Sequence, residues 1–120
     1  MDEFIKPLFW VGSSKRDLKT MPEDVQDVFG YALHLAQNGE KHAQSKPLKG
    51  FNGAGVLEVM EDYMGNAYRA VYTVTVGDAV YVLHCFQKKS ARGIKTPKPD
   101  RELIHARLSA AQAHAAGGTQ

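Results

Sequence analysis

The sequence predicts an α+β protein in which an N-terminal strand and two helices pack on one face of an antiparallel sheet, followed by a C-terminal helix. Three observations predict this. Val25, Val28, Phe29, Ala32, Leu35 and Ala36 recur at three- and four-residue spacing, as on one face of a helix. Residues 56–86 hold three β-branched and aromatic runs separated by turn pairs. A last apolar set, Leu103, Ile104, Leu108 and Ala111, comes after two prolines. A length of 120 residues and a hydrophobic content of 43% suit one domain with a single modest core.

Residues 5–11 are apolar and aromatic and read as the first strand, which Gly12-Ser13-Ser14 turns. A short helical turn over residues 15–19 comes next. Thr20-Met21-Pro22-Glu23 then reads as a helix start, with Thr20 as N-cap, Pro22 in the first turn and Glu23 placed for a capping box; Asn38-Gly39 closes that helix. Residues 40–55 show no periodicity and read as a long loop. The strand runs are 56–63, 67–76 and 79–86, joined at Gly65-Asn66 and at Gly77-Asp78, and the second pair has the composition of a two-residue hairpin turn. In the middle run Tyr68, Ala70, Tyr72, Val74 and Val76 share one face and Arg69, Val71, Thr73 and Thr75 the other. Residues 87–99 are basic and broken by prolines. Pro99 or Asp100 opens the last helix, and residues 114–120 read as a flexible tail.

Composition excludes several function classes. The lone Cys85 rules out an internal disulfide framework and a cysteine-built zinc site, and its apolar surroundings point to a buried, inert thiol. The acidic start Met1-Asp2-Glu3 is unlike a secretory signal, and no apolar run approaches the ~18 residues of a membrane span, so a cytoplasmic protein is expected. Net charge is +2 but unevenly spread: residues 1–45 carry five Lys/Arg against seven Asp/Glu, residues 46–101 nine against five, and residues 102–120 one of each. Such a local surplus fits a face that binds a polyanion, or an ordinary solvated surface.

The residues that could carry chemistry lie in that basic stretch. Lys88, Lys89, Arg92, Lys95, Lys98 and Arg101 come after the last strand, Lys46 and Lys49 precede the meander, and Arg69 lies at its centre. Together they could neutralise phosphates of RNA. Arg69 in a Tyr/Val-rich strand needs a partner. It is either salt-bridged to Glu58 or Glu61 or acts as a clamp on a pentacoordinate phosphate. Metal-independent RNA cleavage needs a group to take the 2′-hydroxyl proton, one to protonate the leaving oxygen, and cations. His84 and Glu58 are the candidate acid and base; equally, His84 could be a hydrogen-bonded structural residue and Glu58 could only orient Arg69. Tyr68, Tyr72 and Phe86 could stack a base or fill the core. His34, His42, His105 and His114 have no ligand spacing, and Gly50, Gly53 and Gly55 match no phosphate-cradling loop, so neither a metal nor another cofactor is implied.

Several runs in order carry a family resemblance: Lys46-Pro47-Leu48-Lys49-Gly50, Leu57-Glu58-Val59, Tyr68-Arg69-Ala70-Val71-Tyr72, Tyr81-Val82-Leu83-His84-Cys85-Phe86-Gln87-Lys88-Lys89-Ser90, and Thr96-Pro97 before the last helix. In these the chain resembles the HigB-like, phage-derived branch of the RelE/ParE toxin superfamily. The resemblance implies a RelE-like fold and the toxin of a type II toxin–antitoxin pair. Such a toxin is a ribosome-dependent endoribonuclease that cuts messenger RNA in the A site. It is held by a helix-turn-helix antitoxin, through which alone operator DNA is bound. It also implies that Arg69 stabilises the phosphate, that Lys88 and Lys89 are the basic pair after the last strand, and that Lys46 and Lys49 contact the RNA backbone; Arg92 and Lys95 are RNA-binding candidates from the basic run alone. Two other functions suit the same fold: a ParE-like inhibitor of DNA gyrase, and an inactive relative that only binds antitoxin or RNA.

Overall fold

A computed structural model describes residues 5–51, 53–88 and 96–117. The elements run β1 (Leu8–Trp10), α1 (Ser14–Lys19), α2 (Glu23–Gln37), β2 (Ser45–Pro47), β3 (Val56–Tyr63), β4 (Asn66–Thr73), β5 (Val80–Lys88) and α3 (Lys98–Ala115). They build a five-stranded sheet of order β1-β5-β4-β3-β2. The α+β class holds, with two corrections to the expected arrangement.

First, the sheet is mixed: β1 runs parallel to β5, while every other neighbouring pair is antiparallel. Second, helices cover both faces of the sheet rather than one. Leu18 of α1 and Val25, Phe29, Ala32, Leu33 and Ala36 of α2 pack on Val59, Ala70, Tyr72, Val80, Val82 and Cys85. On the opposite face Ile104, Leu108 and Ala111 of α3 pack on Val71, Tyr81, Leu83 and Phe86, together with Leu48 and Phe51. The physical reason is visible in β5, whose run from Val80 to Phe86 is almost continuously apolar. A strand of that kind needs cover on both sides.

Local chemistry moves several boundaries. Thr20 does not cap α2; it closes α1, its hydroxyl donating to the Asp17 carbonyl at 2.7 Å, and Pro22 takes the N-cap position of α2. The first hairpin turn falls on Met64 and Gly65, both at positive φ (50° and 83°), one residue before the expected pair. The β4–β5 connection is not a two-residue turn but spans residues 74–79, because Thr75 leaves the ladder to donate its hydroxyl to the Ala54 carbonyl at 2.9 Å. Within the expected loop, three residues form the edge strand β2, pairing Lys46 with Glu58. The last helix begins at Lys98 and runs to Ala115, two residues into the expected tail.

One irregularity sets the direction of the β5 side chains beyond it. In the β4–β5 ladder Val71 pairs with His84, but Tyr72 pairs with Val82, so Leu83 is an extra residue in β5. The bulge places Leu83 and His84 on the same side of the sheet, towards α3, and Phe86 and Lys88 lie on that side after them. Arg107 of α3 secures this point. Its guanidinium donates from Nη1 to the Leu83 carbonyl at 2.9 Å and from Nη2 to the Ser13 hydroxyl at 3.1 Å. It lies over Gly12, whose φ is +59° and where an added Cβ would stand 2.8 Å from the guanidinium carbon. Gly12→Ala should therefore lower stability by roughly 2 kcal/mol or more, since it adds left-handed strain to the loss of those hydrogen bonds. A urea unfolding midpoint indistinguishable from the parent would contradict this.

Cys85 is buried as expected, on the face under α1 and α2. Burial pushes its thiol up to about 12, with Asp17 adding to the effect and Arg107 opposing it. Iodoacetamide at neutral pH should modify this cysteine only after denaturant is added. No helix among the described residues is long and apolar enough to cross a membrane.

Candidate functional site

Several of the side chains singled out in the sequence converge on the α3 side of the sheet because of their register. Lys46 stands beside Glu58, Glu58 beside Val71, Val71 beside His84, Arg69 beside Phe86, and Ala67 beside Lys88. Side chains at paired positions project from the same face. Period-two alternation alone, counted from Val80, would have put His84 on the other face with Val82; the bulge reverses the phase.

At the centre Arg69 Nη1 donates to Glu58 Oε1 at 2.9 Å, and the two residues are 3% and 4% exposed. Of the two readings open for Arg69, the structure has the salt bridge, with Glu58 rather than Glu61; Glu61 instead accepts from the Gln44 amide. Lys88, 5% exposed, lies near the pair. Burial holds its ammonium below the ordinary lysine range, the Arg69 charge adds to that, and the Glu58 carboxylate opposes it. His84 Nε2 is 2.7 Å from Asp100 Oδ1 in the first turn of α3, and the imidazole is stacked on Phe86 at 4.5 Å between ring centres. Its Nδ1 is buried and makes no hydrogen bond among the described residues. His84 is therefore a link between β5 and α3, and Phe86 is its packing partner.

Beside this cluster opens a cleft of about 470 Å³ between the β2 edge and the start of α3. Lys46, Lys49 and Arg101 supply cations, Glu58 a carboxylate and Thr96 a hydroxyl, with Pro47, Leu48 and Gly50 completing the wall. Arg101 is anchored by donating to the Thr96 carbonyl at 3.2 Å. Glu58 alone belongs both to the buried pair and to the cleft wall, so it is the member of that pair that a ligand would meet. Three cations around one carboxylate give the cleft a local excess of positive charge, which attracts anionic groups. No group of three or more His, Cys, Asp or Glu side chains suited to a metal comes together among the described residues.

Other expected residues fall elsewhere. Tyr72 is fully buried beneath α2, donating its hydroxyl to Ser45 Oγ at 2.7 Å, and Tyr68 lies in the same core. Neither ring offers a face to RNA, so both are core residues. Lys89, Arg92 and Lys95 lie outside the described residues. Two participants had no individual role in the sequence reading. Asp100 was legible only as an acid at a helix start, where it suits the helix dipole. Arg101 was one cation in a run of six, and only the fold separates it from its neighbours.

A mixed five-stranded sheet covered on both faces by helices, with a cleft lined by three cations where β2 meets α3, defines a small α+β protein. The chain belongs to a phage-derived family, the one described as phage derived protein Gp49-like (DUF891), which matches residues 16–109 and is RelE/toxin-like in kind. The matched range includes every residue that lines the cleft. No curated protein and no solved structure matches the chain significantly.

Proposed function

We propose that this protein is the toxin of a type II toxin–antitoxin pair, a HigB-like, ribosome-dependent endoribonuclease that cuts messenger RNA. Its partners in this reading are a helix-turn-helix antitoxin and the translating ribosome, in the cytoplasm. The observation that carries the reading is the cleft itself, in which one carboxylate, Glu58, is held from behind by Arg69 and faced by Lys46, Lys49 and Arg101.

Those groups divide the chemistry among them. The cations bind the phosphates flanking the scissile bond and lower the cost of charge building on the non-bridging oxygens. Glu58 accepts the proton of the 2′-hydroxyl as that oxygen attacks the adjacent phosphorus. The P–O5′ bond breaks, leaving a 2′,3′-cyclic phosphate on one fragment, and a proton is delivered to the departing 5′-oxygen. Arg69 is a positioning residue that fixes the carboxylate rotamer. His84, a candidate proton carrier, is committed to Asp100 and Phe86. A site so sparsely equipped suits a reaction in which the ribosome positions the substrate and completes the proton transfer.

Two reporter transcripts, one with and one without a start codon, test this during induced expression, with 5′ ends mapped in each. Growth arrest with new ends inside the translated transcript, and none in the untranslated one, is the expected result. Arrest with neither transcript cut, and with altered plasmid supercoiling, would replace the nuclease with a gyrase inhibitor.

A further inference from the structure

On the β2 side the lining of the cleft ends at Gly50. The next residue, Phe51, is buried, and its ring is stacked on His105 of α3 with centres 4.2 Å apart and planes 26° from parallel. His105 is itself exposed. It lies four residues beyond Arg101, so the two side chains leave α3 on the same face, one turn apart. Lys49 lies two residues before Phe51 on the facing segment. An exposed ring thus stands one helical turn from Arg101, beside the residues that line the cleft.

The geometry points to a nucleobase subsite beside this end of the cleft, in which His105 is the stacking platform. The inference rests on the proposed RNA-cleaving function and extends it from the backbone to the base. Phe51 fixes one face of the imidazole, so the ring is ordered before a ligand arrives and little side-chain entropy is lost on binding. A base stacks on the outer face, while the phosphate attached to the same nucleotide reaches Arg101 or Lys49. Stacking on a ring accepts any base, so the subsite selects nucleotides over other polyanions without selecting a sequence.

A short single-stranded RNA and an abasic ribose-phosphate chain with the same number of phosphates separate stacking from charge. Binding of each to the purified chain is measured by titration, with the His105 ring protons followed by NMR. The RNA should bind more tightly and shift the His105 ring signals upfield, whereas the abasic chain leaves them in place. His105→Ala should weaken RNA binding about fivefold or more and leave abasic binding unchanged. His105→Phe should restore it, which a loss of charge or of fold could not explain. Equal binding of the two chains to the parent protein, an RNA affinity unmoved by His105→Ala, or no RNA binding at all would each overturn the subsite. Growth arrest and reporter cleavage decide the nuclease separately. Cuts that persist in His105→Ala with unchanged RNA binding would sink the platform and keep the nuclease. An RNA-specific ring shift in a protein that cuts nothing would do the reverse.

Discussion

Replacing Arg69 with leucine should destabilise the protein by about 3 kcal/mol, because it removes the guanidinium that is hydrogen-bonded to the buried Glu58 carboxylate. Both partners are almost wholly buried, so solvent screens the pair little and cannot take over the hydrogen bond at 2.9 Å. The double variant Arg69→Leu with Glu58→Leu should recover most of that loss, since replacing both charges with apolar side chains removes the desolvation cost along with the attraction. Urea unfolding of the two single variants and the double one measures the coupling. Additive effects would mean that the pair contributes nothing jointly. Any loss of toxicity in Arg69→Leu alone is then ambiguous, because a protein weakened this much is also depleted in cells.

Neutralising the cleft avoids that ambiguity. Lys46 and Lys49 are exposed and Arg101 is half-buried, so Lys46→Gln, Lys49→Gln and Arg101→Gln together should leave the unfolding midpoint nearly unchanged while abolishing growth arrest. If these three side chains contact phosphates, RNA affinity in the parent should fall with salt at a log–log slope of about −2 or steeper. That slope amounts to a roughly 15- to 20-fold loss over a fourfold rise in salt. The triple variant should bind weakly at all salt concentrations with a slope reduced by about 2. A parent slope near zero would show that the cleft is not where the polyanion lies.

The elements that could be read from the chain were those with a strong local period. The stripe from Val25 to Ala36 became α2, and the run over residues 56–63 became β3 without a change of boundary. Elements specified by distant partners could not be read that way. β2 is three residues long, and its strand character comes from pairing with β3 rather than from propensity. The parallel contact of β1 with β5 joins segments about seventy residues apart, and local pattern carries no trace of direction. The site divides in the same manner. Glu58, Lys46 and Lys49 could be picked out by charge, and Arg69 by the cost of burying it. The choice between salt bridge and phosphate clamp depended on the β3–β4 register, which brings Glu58 within reach. His84 was noticed for its chemistry, but its commitment to Asp100 required α3 to lie on the face to which the bulge turns it.

The bulge at Leu83 bears on how such chains can change length. A one-residue insertion or deletion inside a strand ordinarily exchanges its two faces from that point onward, which is ruinous for a strand buried on both sides. Here the ladder on either side of Leu83 is already in register with the halves counted separately, Val82 against Tyr72 and His84 against Val71. Removing Leu83 would join the halves into an unbroken strand with Val82 still under the α2 layer and His84 still towards Asp100. The losses would be one core side chain and the carbonyl that Arg107 holds. This strand therefore contains one position at which natural length variation can occur while the candidate site beyond it keeps its orientation.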